Sequence, residues 1–215
     1  MTITSWLTIV SVCLLGAMSP GPSLAVVLRQ TLSGGRKAGL ITAIAHGLGF
    51  GIYALACVSG IALVITTSPV LFTGLQWLGA GFLIWLGIKG LRAKAPVAVE
   101  GAAAPGAASP ELQAATPIAG SSAFRDGFLV VFLNPKIAVF LIAVFSQVIG
   151  NHTTGMERLV YVATAMIIDM GWYIIVAWLF SNPLWLGRLQ KNSVWLERIF
   201  GVILIAVAAR LLVGV

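Results

Sequence analysis

The sequence predicts an all-α membrane protein of six transmembrane helices, arranged as two inverted three-helix halves in which helices 1 and 4 are broken. Three observations carry that expectation. Of 215 residues, 59% are hydrophobic and only 9% charged, a balance that excludes a water-soluble globular domain. The apolar runs are long enough for about six spans of roughly 20 residues each, with one linker left over. Prolines interrupt two of those runs near their middles. Unsatisfied backbone at that depth is tolerated only where protein buries it or a polar cavity lies against it.

The first run, Ile3 to Leu28, contains no charged side chain and holds Ser19-Pro20-Gly21-Pro22. Pro20 has no N–H for the carbonyl of Gly16, nor Pro22 for that of Met18, so the helix breaks there. Pro22 suits the first turn of a new half-helix, whose leading amides point back at the break. No Lys or Arg precedes the run, and it is too long for a signal-peptide core. It reads as an uncleaved first span from about Ser5 to Leu28. A short basic loop with Arg29, Arg36 and Lys37 follows. Span two covers about Gly39 to Ile65, where Gly47 and Gly51 sit one turn apart and admit a close neighbour. Thr66-Thr67-Ser68-Pro69 then turns the chain into span three, about Val70 to Leu91.

Residues 1–92 thus form the first half. From 93 to 122 Ala, Pro, Gly and Ser dominate, which reads as a flexible cytoplasmic linker rather than a domain. Residues 123–215 form the second half. Its span four, Phe124 to Ile149, is broken at Asn134-Pro135-Lys136, where Pro135 frees the carbonyl of Val131. Span five covers about Leu159 to Phe180 and span six about Val194 to Val213. The halves share no obvious sequence similarity, so the repeat is read from layout. Two interrupted helices in corresponding positions point to a transporter's binding site.

Charge sets the orientation. Arg29, Arg36, Lys37, Lys89, Arg92, Lys94, Arg125, Arg188, Lys191 and Arg198 all fall on one side of the bilayer, against Arg158 and Arg210 on the other. The positive-inside rule therefore puts both termini in the periplasm and the linker in the cytoplasm. The net charge of +7 is accounted for by these flanking residues, and no nucleic-acid partner is expected. Cys13 and Cys57 lie in different apolar segments with no partner motif. No metal-ligand or phosphate-loop spacing occurs, and no cofactor is implied.

Inside the spans, Asp169 lies near the centre of span five and Lys136 near that of span four. A charge pair between them would offset much of their burial cost. That pair is either a structural tie or a proton-carrying acid beside its cation. His46, in span two, is either a helix-packing histidine or a second proton-coupling residue. Gln76 and Gln147 read as hydrogen bonds between helices. No nucleophile stands beside a base, so the chain is not expected to be an enzyme.

Ser19-Pro20-Gly21-Pro22, Phe82-Leu83-Ile84-Trp85-Leu86-Gly87 and Asn134-Pro135-Lys136 together give the chain a resemblance to a known family. It resembles the lysine and homoserine/threonine exporters of the bacterial inner membrane, over nearly everything but the linker. Ser23 departs from the acidic or amide residue that many members carry after Pro-Gly-Pro. The resemblance implies efflux of an amino acid or derivative from the cytoplasm, driven by proton antiport, by a lipid-embedded protein for which a homodimer stays open. On that reading the half-helix at Pro22 offers amide donors to the substrate carboxylate, and the carbonyls of Gly16, Met18 and Val131 accept from its ammonium. Ser19, Gly21, Ser23, Asn134, Pro135 and Lys136 complete the shell, and Asp169 and His46 couple the proton. The rival reading is a metal or other cation exporter of the same layout. It ordinarily wants several His, Asp or Cys ligands in the spans, where only His46 and Asp169 are available.

Overall fold

In the computed structural model of the chain, the described residues are 2–19, 21–92, 120–150 and 152–182, with 198, 201, 202, 205, 206, 208 and 209. All six elements formed by these residues are helices: α1 (Ile3–Met18), α2 (Pro22–Thr67), α3 (Pro69–Leu91), α4 (Gly120–Leu133), α5 (Pro135–Val148) and α6 (Gly155–Phe180). The linker expected over 93–122 lies outside the described residues except at 120–122, which open α4. Most of the sixth span also lies outside them, although the described residues from 198 to 209 are helical.

Both proline breaks fall where the missing N–H groups put them. α1 stops at Met18, and Ser19 caps it by donating its amide to Leu15 O at 3.1 Å and Gly16 O at 3.3 Å. The Gly16 carbonyl, expected to be freed by Pro20, is thus partly claimed by a tightened last turn. α4 and α5 meet at Asn134 with a bend of 60°. Asn134 caps α5, its Oδ1 accepting from the Lys136 amide at 3.1 Å, with Pro135 as the first helical residue.

α2 is continuous in sequence but not in direction. At 46 residues a straight helix would run about 70 Å, more than twice the roughly 30 Å hydrocarbon core. Gly35 turns it, with φ 73° and ψ 179°, a left-handed conformation that a residue with a Cβ resists. Thr31 consequently lies against Gly39, which eight residues of straight helix would separate by about 12 Å. α2 is therefore a hairpin whose arms, 22–34 and 36–67, replace the first broken span's second half, the expected basic loop and span two.

α2 is the hub of the bundle. α2 packs most extensively on α6 and α4, while α3 packs on α5 and α1 on α6. Gly47 lies directly under Met170, and Gly51 under Met166, so the small residues one turn apart set the approach of α6. Thr42 Oγ1 bonds the Ala123 carbonyl at 3.1 Å, tying α2 to α4. Gln76 Nε2 donates to the Ser146 carbonyl at 3.2 Å and Gln147 Nε2 to the Gln76 carbonyl at 2.8 Å, the interhelical role read for both. α6 begins at Gly155, a turn before the expected Leu159, because Thr154 and Glu157 form a capping box.

Large apolar side chains ring the outside. Ile52, Leu63, Val70, Leu78, Leu133 and Ile167 are all more than half exposed, whereas the polar residues Ser19, Ser23, Gln30, Thr42, His46, Asn134, Ser146 and Asp169 are buried. That inversion suits a lipid surround. By length and composition α2, α3 and α6 can each cross a membrane, and the bent pair α4–α5 makes a fourth.

Candidate functional site

The two breaks meet around one internal cavity of about 30 Å³. From α1 come Cys13, Gly16 and Ala17; Ser19 and Gly21 line it from the first break. Ser23, His46 and Phe50 face it from α2, Asn134 from the second break, Lys136, Ile137 and Phe140 from α5, and Asp169 and Tyr173 from α6. The space admits roughly one or two waters.

Its polar groups are sorted to two poles. At one, the Lys136 ammonium donates to Ser19 Oγ at 2.6 Å. Asn134 Nδ2 donates to Ser23 Oγ at 3.2 Å, joining the two breaks. Gly21 is the N-cap of α2 and has no side chain with which to cap the amides that follow it. A Cβ built on Gly21 would sit 3.7 Å from Lys136 Nζ, so the cation lies at the mouth of that helix N-terminus. A positive ammonium, uncapped amides and a hydroxyl in one place form a locus for an anionic oxygen.

At the other pole, His46 Nδ1 and Asp169 Oδ2 lie 2.7 Å apart. His46 is 0% and Asp169 4% exposed. The imidazole meets Tyr173 edge-on with ring centroids 4.6 Å apart, and its Nε2 is buried without a hydrogen-bond partner among the described residues. The bond expected between Asp169 and Lys136 is thus made to Asp169 by His46. Equal depth in two spans does not fix which way each side chain faces around its helix. Among the described residues no group of three His, Cys, Asp or Glu side chains is placed to hold a metal ion.

Phe50, Ile137, Phe140, Cys13 and Ala17 form the apolar wall between the poles. The tip of the Phe140 ring lies against Gly16, leaving no room for a Cβ there. These residues carried no signal in the sequence, since an apolar residue in an apolar span looks like every other.

Of the expected site residues, the cavity gathers Gly16, Ser19, Gly21, Ser23, His46, Asn134, Lys136 and Asp169. Val131 is buried elsewhere, its side chain packed near Gly49 of α2. Met18 is half-buried and Pro135 exposed, and neither lines the cavity. Pro22 faces a separate outer groove, and Pro20 lies outside the described residues.

Comparison with known proteins bears on what such a cavity serves. A family model described as LysE type translocator matches residues 14–214. The threonine efflux protein of Escherichia coli K12 is 25% identical over 209 residues, covering 97% of this chain and 98% of that one. The leucine efflux protein of Salmonella choleraesuis is 27% identical over 196 residues, covering 89% and 87%. A membrane protein of unassigned role from Bacillus subtilis is 25% identical over 206 residues, covering 94% and 95%. No solved structure gives a significant match.

Proposed function

The chain belongs to the LysE type translocator family, and from that membership and the cavity's chemistry we propose that it exports a zwitterionic amino acid by proton antiport. The observation that carries this reading is the two-pole cavity at the meeting of the breaks. An amino acid presents a carboxylate and an ammonium a few ångströms apart. Its carboxylate goes to Lys136, Ser19 and the amides opening α2. Its ammonium goes to the Asp169–His46 pole, and its side chain lies along Phe140 and Ile137. Relatives named for threonine and leucine efflux support a small neutral side chain as cargo.

Antiport then follows from competition at one carboxylate. Asp169 neutralised by a proton has lost the charge that draws an ammonium, and Asp169 holding an ammonium has no charge left for a proton. In a buried site, where an unmatched charge is expensive, the pole holds one or the other. His46 orients the carboxylate and provides a second nitrogen through which the proton can leave. Six spans in two inverted halves, with both termini periplasmic in the bacterial inner membrane, supply the alternating access this needs. The cavity must widen to admit an amino acid, so rocking of one half against the other both opens the site and re-aims it.

The test is reconstitution in proteoliposomes with labelled L-threonine and L-leucine. Wild type is expected to exchange one of them and to concentrate it when a pH difference is imposed. Each proton crossing the potential supplies about 2.3 kcal/mol per 100 mV, enough for more than tenfold accumulation. Asp169→Asn keeps the size of the side chain but cannot carry the proton. It is expected to lose accumulation and, lacking the charge that draws the ammonium, to keep exchange only at raised substrate concentration; accumulation undiminished in this variant would sink the coupling role.

A further inference from the structure

A groove of about 500 Å³ runs between the first arm of α2 and α4, lined by Pro22 and Arg29 on one side and by Arg125, Asp126, Leu133 and Asn134 on the other. Its size falls within the roughly 300–1,000 Å³ of small-molecule sites, whereas the central cavity holds little more than water. The two spaces share Asn134. From Arg29 to Pro22 the groove descends seven residues of helix, about 10 Å, to the break. We propose that this groove is a loading site for the substrate zwitterion on the cytoplasmic side. The proposal rests on the exporter reading above and adds a second place where the amino acid binds.

The charges fit that occupant at both ends. Arg29 and Arg125 are exposed and offer planar guanidinium donors, the geometry that grips a carboxylate through two bonds. Asp126 offers the matching acceptor for an ammonium. Its Oδ1 stands 3.6 Å from Arg125 Nη2, a half-exposed ion pair too long to be a hydrogen bond and easily exchanged for a ligand. Its Oδ2 is held from behind by Gln30 Nε2 at 2.8 Å. Gln30 is 2% exposed, and its Oε1 has no partner among the described residues. A buried amide that leaves its own acceptor unpaired while fixing one carboxylate oxygen is a positioning residue for Asp126. Asn134, bonded to Ser23, forms the septum between groove and cavity, so the amino acid passes inward when that bond opens.

The test uses the full chain in inverted membrane vesicles, with Cys57→Ser removing the half-exposed native thiol and Val130→Cys reporting from the groove wall. L-Threonine or L-leucine is expected to slow maleimide labelling of that cysteine. Arg125→Gln and Asp126→Asn are expected to weaken the protection about tenfold, roughly 1.4 kcal/mol. In transport they raise KM from the cytoplasmic face by a similar factor and leave the maximal rate within about twofold, the signature of lost uniform binding. Lys136→Met is expected to stop transport while the groove stays protected. Transport with an unchanged KM and no protection overturns the loading site and leaves the exporter reading standing. Protection without transport in the wild type keeps the groove as an amino-acid site but removes the exporter reading and the loading role with it. Absence of both overturns both. Labelling that responds to anionic lipid and not to either amino acid gives the groove to a lipid headgroup and overturns the proposal.

Discussion

The two helix breaks use the same residue, but only the second closes the helix that follows it. At the second break a single residue separates the helices, and Asn134 supplies its own cap, with Oδ1 on the Lys136 amide at 3.1 Å. The start of α5 is thereby closed, and the break's product is a placed ammonium on Lys136. At the first break Ser19 serves the outgoing helix, but Gly21 has no side chain to cap the incoming one. The start of α2 is open, and it opens where Lys136 reaches across to Ser19. One break aims a side chain and the other presents backbone. Neither alone brings ammonium, hydroxyl and helix N-terminus together, and the cavity lies where the two meet.

The largest effect is expected from healing the open break. Pro20→Ala with Pro22→Ala returns two N–H donors to the carbonyls of Gly16 and Met18. α1 and α2 can then fuse, withdrawing the amides from the cavity. Transport is expected to fall at least about a hundredfold, roughly 2.7 kcal/mol of lost transition-state stabilisation, with membrane insertion intact on fractionation. Pro135→Ala at the closed break is expected to do far less, because Asn134 still caps α5. Equal losses from the two would erase the distinction between an aiming break and a presenting one.

A smaller effect is expected from opening the closed break. Asn134→Ala removes the cap and the Nδ2 bond to Ser23. Loss of such a cap costs about 1 kcal/mol, which in a chain of this length lowers the melting temperature by roughly 2–4 °C. Asn134→Asp keeps the cap oxygen and loses the donor to Ser23, so it separates the two bonds. Thermal melting in detergent is expected to show Asp close to wild type and Ala below it. If Asp melts as low as Ala, the bond between breaks, rather than the cap, holds the junction.

What the sequence made legible follows from which physical signals are local. A proline's missing N–H acts within four residues, so Ser19 to Pro22 and Asn134 to Lys136 could be placed as breaks before any packing was known. The turn at Thr66 to Pro69 and the glycines under α6 were legible for the same reason. The facing of a side chain around its helix is not local. Asp169 and Lys136 matched in depth, yet Asp169 found His46, because Gly47 and Gly51 seat α6 on that face of α2. Asp126 carries no local sign of the residue that holds it, Gln30, 96 positions earlier. The hairpin at Gly35 hid for a related reason: the basic residues read as a loop are compatible with helix, and only the positive φ of one glycine turns the chain.

The smallest effect is expected at Gly21, and it tests the open break most finely. Gly21 has φ 177° and ψ −172°, extended backbone that any residue adopts, so Ala brings no conformational strain. Its Cβ would stand 3.7 Å from Lys136 Nζ, an ordinary contact. Folding is therefore expected to be unchanged in Gly21→Ala, with the same melting temperature as wild type. The methyl group does intrude between the α2 amides and the ammonium, where the substrate carboxylate is proposed to lie. KM is expected to rise by less than about threefold, near 0.6 kcal/mol, with the maximal rate kept. A collapse of the maximal rate with KM unchanged would mean that Gly21 leaves its extended conformation during transport for one that only glycine tolerates. The open break would then be a hinge as well as a binding surface, and the difference between the two breaks would be one of motion as much as of capping.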